Sequence, residues 1–170
     1  MHITRLFKEL EQPFEQAKLV LHALGNKKVQ PAPAIDLKER PVPKKGVFAE
    51  DVYGCDVAIT AHVHIADKFE QTSAVLVQVK KPEATENGFR DAWRIDGSQL
   101  NDVPKFSQTA VYGLIMPEGT IGVVPARYLA GLRRARPDPP AVMTVSHAHI
   151  RSATIPVAQF LVELVLGYVS

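Results

Sequence analysis

Two stretches constrain this chain more than any others. CDVAITAHVHI (55–65) alternates strictly: Val57, Ile59, Ala61, Val63 and Ile65 point one way, while Asp56, Ala58, Thr60, His62 and His64 point the other. TSAVLVQVK (72–80) repeats the pattern, with Val75, Val77 and Val79 opposite Ala74, Leu76, Gln78 and Lys80. Only ADKFEQ separates them, and so short a connection predicts an antiparallel hairpin. Each arm has one valine-rich face that must be covered, so the hairpin cannot stand alone.

Parity gives the hairpin a second property. A tip near residue 68 sets Asp56 across from about residue 80. Asp56, Gln78 and Lys80 then project toward one cleft. A carboxylate and a second oxygen donor suit Mg²⁺ or Mn²⁺, hard cations that prefer oxygen, and a lysine beside them can orient a phosphate or a water. A cation so placed neutralises charge that builds on a phosphodiester during hydrolysis. The plainer alternatives are that Asp56 ends a turn after Gly54 and that Gln78 and Lys80 form the solvated end of a strand.

The rest of the chain supplies what would cover such a hairpin. Apolar residues at steps of three and four predict a helix over 3–24, interrupted at Pro13 and stopped at Gly25. Residues 26–46, with four prolines and six Lys/Arg, read as a surface connector. Residues 81–97 read as polar and turn-rich, followed by a short helix over SQLNDVPKFS. Strands are expected at QTAVYGLIM (108–116), IGVVPA (121–126) and AVMTVSHAHI (141–150), a basic helix at ARYLAGLRR, and a buried helix at 157–169. This order predicts an α/β or α+β sandwich.

Length and composition argue for one domain. The 170 residues, 46% hydrophobic and 22% charged, suffice for a single core. The partition is an N-terminal helix and connector (1–46), a core with the candidate site (47–126), and C-terminal helices and strand (127–170). A net charge of +2 demands no nucleic-acid partner, so any basic surface must be local. A single cysteine, Cys55, excludes an internal disulfide and reads as a small buried residue. The absence of a long uncharged apolar run and the mixed-charge start MHITRLFKELEQ predict a soluble, cytoplasmic chain without a membrane partner.

The acid on one strand and the Gln78-Val79-Lys80 triplet on the next resemble the PD-(D/E)XK, or restriction-endonuclease-like, nuclease superfamily. EDVYGCD (50–56) and VQVKK look like a subgroup with Glu before Gly-x-Asp and with Val-Gln-x-Lys-Lys as its triplet. QLNDV, AVYGLIM, IGVVPA and the FLVELVLGY helix extend the likeness loosely over about residues 48–168. The resemblance implies a restriction-endonuclease-like core, a central mixed sheet flanked by helices. It also implies Mg²⁺- or Mn²⁺-dependent hydrolysis of a nucleic-acid backbone. DNA is the expected substrate, with RNA also open, and a homodimer or a larger partner protein is compatible with the family. By this likeness Asp56, Gln78 and Glu50 would hold the metal, and Lys80 would complete the catalytic set. Gln78 departs from the usual Glu or Asp, so one negative charge is missing. Glu50, or second Glu15 on the first helix, would have to compensate. A catalytically inactive module for nucleic-acid binding or protein interaction is the alternative.

Several groups lie outside this core pattern. Lys81 and Gln99 could meet a nucleic acid, as could Arg133 and Arg134, which with Arg127 and Arg136 form the densest basic cluster. A solvated helix face explains the same arginines. Lys27 and Lys28, and Lys44 and Lys45, are smaller basic groups. Gln108 and Tyr112 share a Gln-x-x-x-Tyr spacing used on a helix in one nuclease branch, but here they fall on an expected strand. Paired His62/His64 and His147/His149 could in principle make a four-nitrogen metal site, remote from Asp56. Trp93, Phe89 and Phe106 could stack on bases or fill the core.

Overall fold

The computed structural model describes residues 15, 34–42, 54–65, 69–106 and 109–167. It is a mixed α/β fold built on a six-stranded mixed sheet. In chain order the strands are β1 (Ala34–Pro41), β2 (Val57–Ile65), β3 (Phe69–Lys80), β4 (Pro82–Thr85), β5 (Gly88–Asp96), β6 (Val111–Ile115), β7 (Ile121–Pro125), β8 (Val142–Ser146) and β9 (Ile155–Pro156). The helices are α1 (Gly97–Phe106), α2 (Ala126–Arg134), α3 (His147–Ile150) and α4 (Val157–Val165). The main sheet runs β1-β2-β3-β6-β7-β9, and β4-β5-β8 form a second, antiparallel sheet.

The alternating runs fold as the pattern predicts. β2 and β3 pair antiparallel, from Val57 opposite Val77 to Ile65 opposite Phe69. β3 starts three residues earlier than its pattern suggested, and every pairing is offset by two from the expected register. Asp56, one residue before the ladder, therefore reaches Gln78 rather than Lys80. A shift of two preserves parity, and the predicted faces survive.

Val57, Ile59, Ala61, Val63, Val75 and Val77 are all buried on one face. α4 covers that face with Val157, Phe160, Leu161, Leu164 and Val165. The apolar positions of VAQFLVELV recur at helical spacing, so the helix turns one stripe onto the sheet. The opposite face is covered as well. Leu76, Tyr112, Leu114 and Val124 meet Trp93 and Ile95 of β5, Met143 and Val145 of β8, and Leu100 and Leu129 of α1 and α2. β6 lies between the two cores, parallel to β3, and all five of its residues are buried. That is why AVYGLIM reads as a continuous apolar run rather than an alternating one.

Three segments depart from the sequence reading. Within the supposed connector, AIDLKERP forms β1 and pairs along the whole of β2. Ile35 and Leu37 reach the core, while Asp36, Lys38 and Glu39 stay exposed. Charged residues and terminal prolines are usual on an edge strand, and here they disguised it. Residues 81–97 are not merely turns but the β4–β5 hairpin, closed at Gly88 with φ 131°. AVMTVSHAHI is a strand only to Ser146. The Ser146 N–H and His149 Nδ1 lie 3.2 Å apart in a capping box that starts α3.

The helix expected over 3–24 lies outside the described residues except Glu15, which is helical and exposed. Glu50, Gln108 and the lysines at 27, 28, 44 and 45 also lie outside them. Among the described residues no helix is long and apolar enough to cross a membrane.

Candidate functional site

The second face of the sheet is apolar at Leu76, Leu114 and Val124 and turns polar toward Asp56, Gln78 and Lys80. Gly54, at φ 62°, turns the chain into β2, and Asp56 follows it. The Asp56 backbone is fixed on both sides: its N–H donates to the Val77 carbonyl (3.0 Å), and its carbonyl accepts from Val42 (2.9 Å). Its side chain then reaches across the ladder. Asp56 Oδ2 accepts from the Gln78 amide (2.7 Å) and from the Val79 backbone N–H (2.8 Å). Asp56 thus both follows the Gly54 turn and bonds Gln78 on the neighbouring strand.

Gln78 is only 2% exposed. It is not the solvated end of a strand, because the second sheet and α1 cover the face that alternation alone would leave open. Its Nε2 is used by Asp56, whereas its Oε1 is buried with no hydrogen-bond partner among the described residues. Tyr112 lies beside it in the β3–β6 register, on the same face, and is fully buried. The Tyr112 hydroxyl also lacks a partner among the described residues. Burial pushes this phenol well above its ordinary value, and the negative charges of Asp96 and Asp56 add to the shift. These two polar atoms on neighbouring strands have no partner among the described residues, and each would cost about 1–3 kcal/mol if left unpaired.

Lys80 ends β3 and donates from Nζ to Gln99 Oε1 on α1 (2.5 Å). Asp96 stands at the start of that helix. Its Oδ1 accepts from the Ser98 hydroxyl (2.7 Å) and backbone N–H (2.8 Å), a side-chain cap. The Ser98 hydroxyl is the main cause holding this carboxyl below its usual value; the backbone N–H groups of Ser98 and Gln99 and the Lys80 ammonium act the same way. Asp96 and the buried Tyr112 hydroxyl were missed in the sequence. IDGSQL carries a capping signal for Asp96, but only the fold brings it near Lys80.

The structure thus brings Asp56, Gln78, Lys80 and Gln99 together. Lys81, one residue on, is exposed. Arg133 and Arg134 lie apart from this cluster, on α2 in a cleft against α1. Tyr112 sits on a strand, so the helical Gln-x-x-x-Tyr arrangement does not apply. The histidine pairs are divided. His62 Nε2 lies 3.0 Å from Glu70 Oε1, His147 pairs with Asp91 (3.1 Å), and His149 caps α3 rather than sharing a strand face with His147. Trp93 is core, with its indole N–H donated to the Ile115 carbonyl (2.9 Å), while Phe89 is exposed on the second hairpin. Cys55 is buried.

The chemistry of the donors can be weighed against a divalent cation. Among the described residues no group of three or more His, Cys, Asp or Glu side chains converges. What the structure offers is the Asp56 carboxylate joined to the Gln78 amide by a hydrogen bond, with Gln78 Oε1 buried and unpartnered among the described residues. Two protein oxygens fit Mg²⁺, which usually keeps several of its waters. Comparison with protein-family profiles, with curated proteins and with solved structures finds no match.

Proposed function

We propose that this protein is a nuclease of restriction-endonuclease-like fold that hydrolyses phosphodiester bonds, in DNA first, with Mg²⁺ or Mn²⁺. The observation that carries the reading is the hydrogen bond between Asp56 and Gln78 at the ends of adjacent strands, two residues from Lys80 on the same face, with the buried amide oxygen unpartnered among the described residues. The order of parts supports the fold: acid, Gln-x-Lys triplet, helix α1, then paired strands β6 and β7. In this reading Asp56 and Gln78 hold the cation, and Glu50 adds charge. The bound cation would supply charge neutralisation at the scissile phosphate. The chain's own residues do the rest. The Val79 N–H and the Gln78 amide fix the Asp56 carboxylate, so it meets its ligand without reorganising. Gln99 aims the Lys80 ammonium, which orients the attacking water or steadies the phosphate. Lys81 holds a flanking phosphate at the surface.

One observation favours a second reading, a non-catalytic module of the same fold. The Gln78 amide donates to Asp56, so a neutral NH₂ group occupies part of the space between two residues that a cation would otherwise bridge. Cleavage of plasmid and single-stranded DNA with Mg²⁺ separates the two. The nuclease reading expects cleavage by the wild type and a loss of at least 100-fold in Lys80→Ala. Equal rates in both proteins would remove Lys80 from the mechanism. No cleavage by either, with DNA binding intact, would leave the module.

A further inference from the structure

α1 does more than hold Gln99. It packs against α2, and the two helices open a cleft of about 210 Å³ lined by Leu100, Asn101, Arg127, Ala130, Arg133 and Arg134. Three arginines line this cleft, and among the described residues no carboxylate lines it. None of the three has an acidic partner among the described residues, in a chain whose net charge is only +2. Arg133 is held in place. Its Nε donates to the Pro140 carbonyl (3.3 Å), and it lies so close over Gly97 that a Cβ there would stand 2.7 Å from that nitrogen.

Helix electrostatics explain only part of this. Arg133 and Arg134 are in the last turn of α2, where cations complement the helix dipole. Arg127 is in the first turn, where a cation opposes it, and no acid offsets the charge there. Arg127, Ala130 and Arg134 share one stripe of the helix, so the misplaced charge and a well-placed one face the same cleft. Like charges gathered with no counter-charge among the described residues are suited to an anion, and guanidinium forks match phosphate oxygens in pairs. Leu100 and Asn101 directly follow Gln99, so the cleft begins one residue beyond the contact with Lys80.

We infer that the α1–α2 cleft anchors backbone phosphates of a nucleic-acid strand, with Arg127 and Arg134 making the contacts and Arg133 braced between the helices. The identity of the polyanion rests on the nuclease-fold reading; the anion site itself rests on the cleft. The test is fluorescence anisotropy with a labelled DNA oligonucleotide in EDTA, across a salt series, run beside the cleavage assay. Arg127→Ala/Arg134→Ala, with an unchanged thermal melt, should bind at least 10-fold more weakly and lower the slope of log K against log salt by about two. Arg134→Ala alone should lower it by about one. Asp56→Ala should lose cleavage yet keep its metal-free affinity and slope. Arginine-dependent binding without any cleavage keeps the cleft and discards the catalytic reading. Cleavage by the wild type with affinity and slope unchanged in the double variant overturns the cleft, as does a wild type that binds no DNA at all.

Discussion

The two faces of the main sheet are built from the same two strands, yet they do different work. Toward α4, Val57, Ile59, Val75 and Val77 meet Phe160, Leu161 and Leu164 in an apolar layer, and the buried Ser73 on the same face has its hydroxyl hydrogen-bonded by Gln71. Toward the second sheet, Leu76, Tyr112 and Leu114 begin a similar layer, but it is interrupted at Gln78 and at the Tyr112 hydroxyl. A face that only stabilises has no use for a buried amide oxygen without a partner. In the proposed reading, this contrast is what puts the functional site on the second face, at the ends of β2 and β3.

That contrast can be broken or sharpened by substitution. The largest effect belongs to the α4 face. Leu161→Ala should cost about 3–4 kcal/mol by deleting a fully buried side chain, measured by denaturant unfolding, and Mg²⁺ should not restore it. Gln78→Glu should act in the opposite sense with respect to metal. Two carboxylates facing each other without a cation should lower stability by roughly 2 kcal/mol in EDTA, and millimolar Mg²⁺ should recover most of it. A Gln78→Glu melt indifferent to Mg²⁺ would dissolve the difference between the faces. Tyr112→Phe should raise unliganded stability by about 1 kcal/mol, because it removes a buried hydroxyl that has no partner among the described residues.

These expectations also mark what the sequence made legible. Strict alternation at 55–65 and 72–80 exposed the hairpin, its valine face and the shared side of Asp56, Gln78 and Lys80. It did so because one-residue register slips are forbidden when a face is buried, and the slip of two that did occur is harmless. β1 stayed hidden because its prolines and charges belong to an edge, where solvent and core select different residues on the same strand. The burial of Gln78 could not be read from β3 itself. It is imposed by β5, β8 and α1, which follow later in the chain. Tyr112 was visible as a strand residue, but its pairing with Gln78 is a parallel contact made through a crossover of some thirty residues, which no local pattern encodes.

The smallest effect is on pH dependence. The Asp96 carboxyl is held below its ordinary value of 3.8, so folding favours its ionised form. That contribution is fully present above 3.8 and disappears as pH falls through the lower folded value. Solvent screening keeps it small. Asp96→Asn should therefore flatten the acid limb of the stability curve below about pH 4 while leaving the melt at pH 7 within a degree or two. An unchanged acid limb would mean the cap of α1 plays no part in holding Gln99 against Lys80.

Calorimetric titration of Mg²⁺ into the wild type and into Asp56→Ala tests most directly whether the end of the hairpin is a cation site. The account predicts a single site, with heat abolished by Asp56→Ala and retained in Tyr112→Phe. Identical isotherms for wild type and Asp56→Ala, or no heat from either, would contradict it.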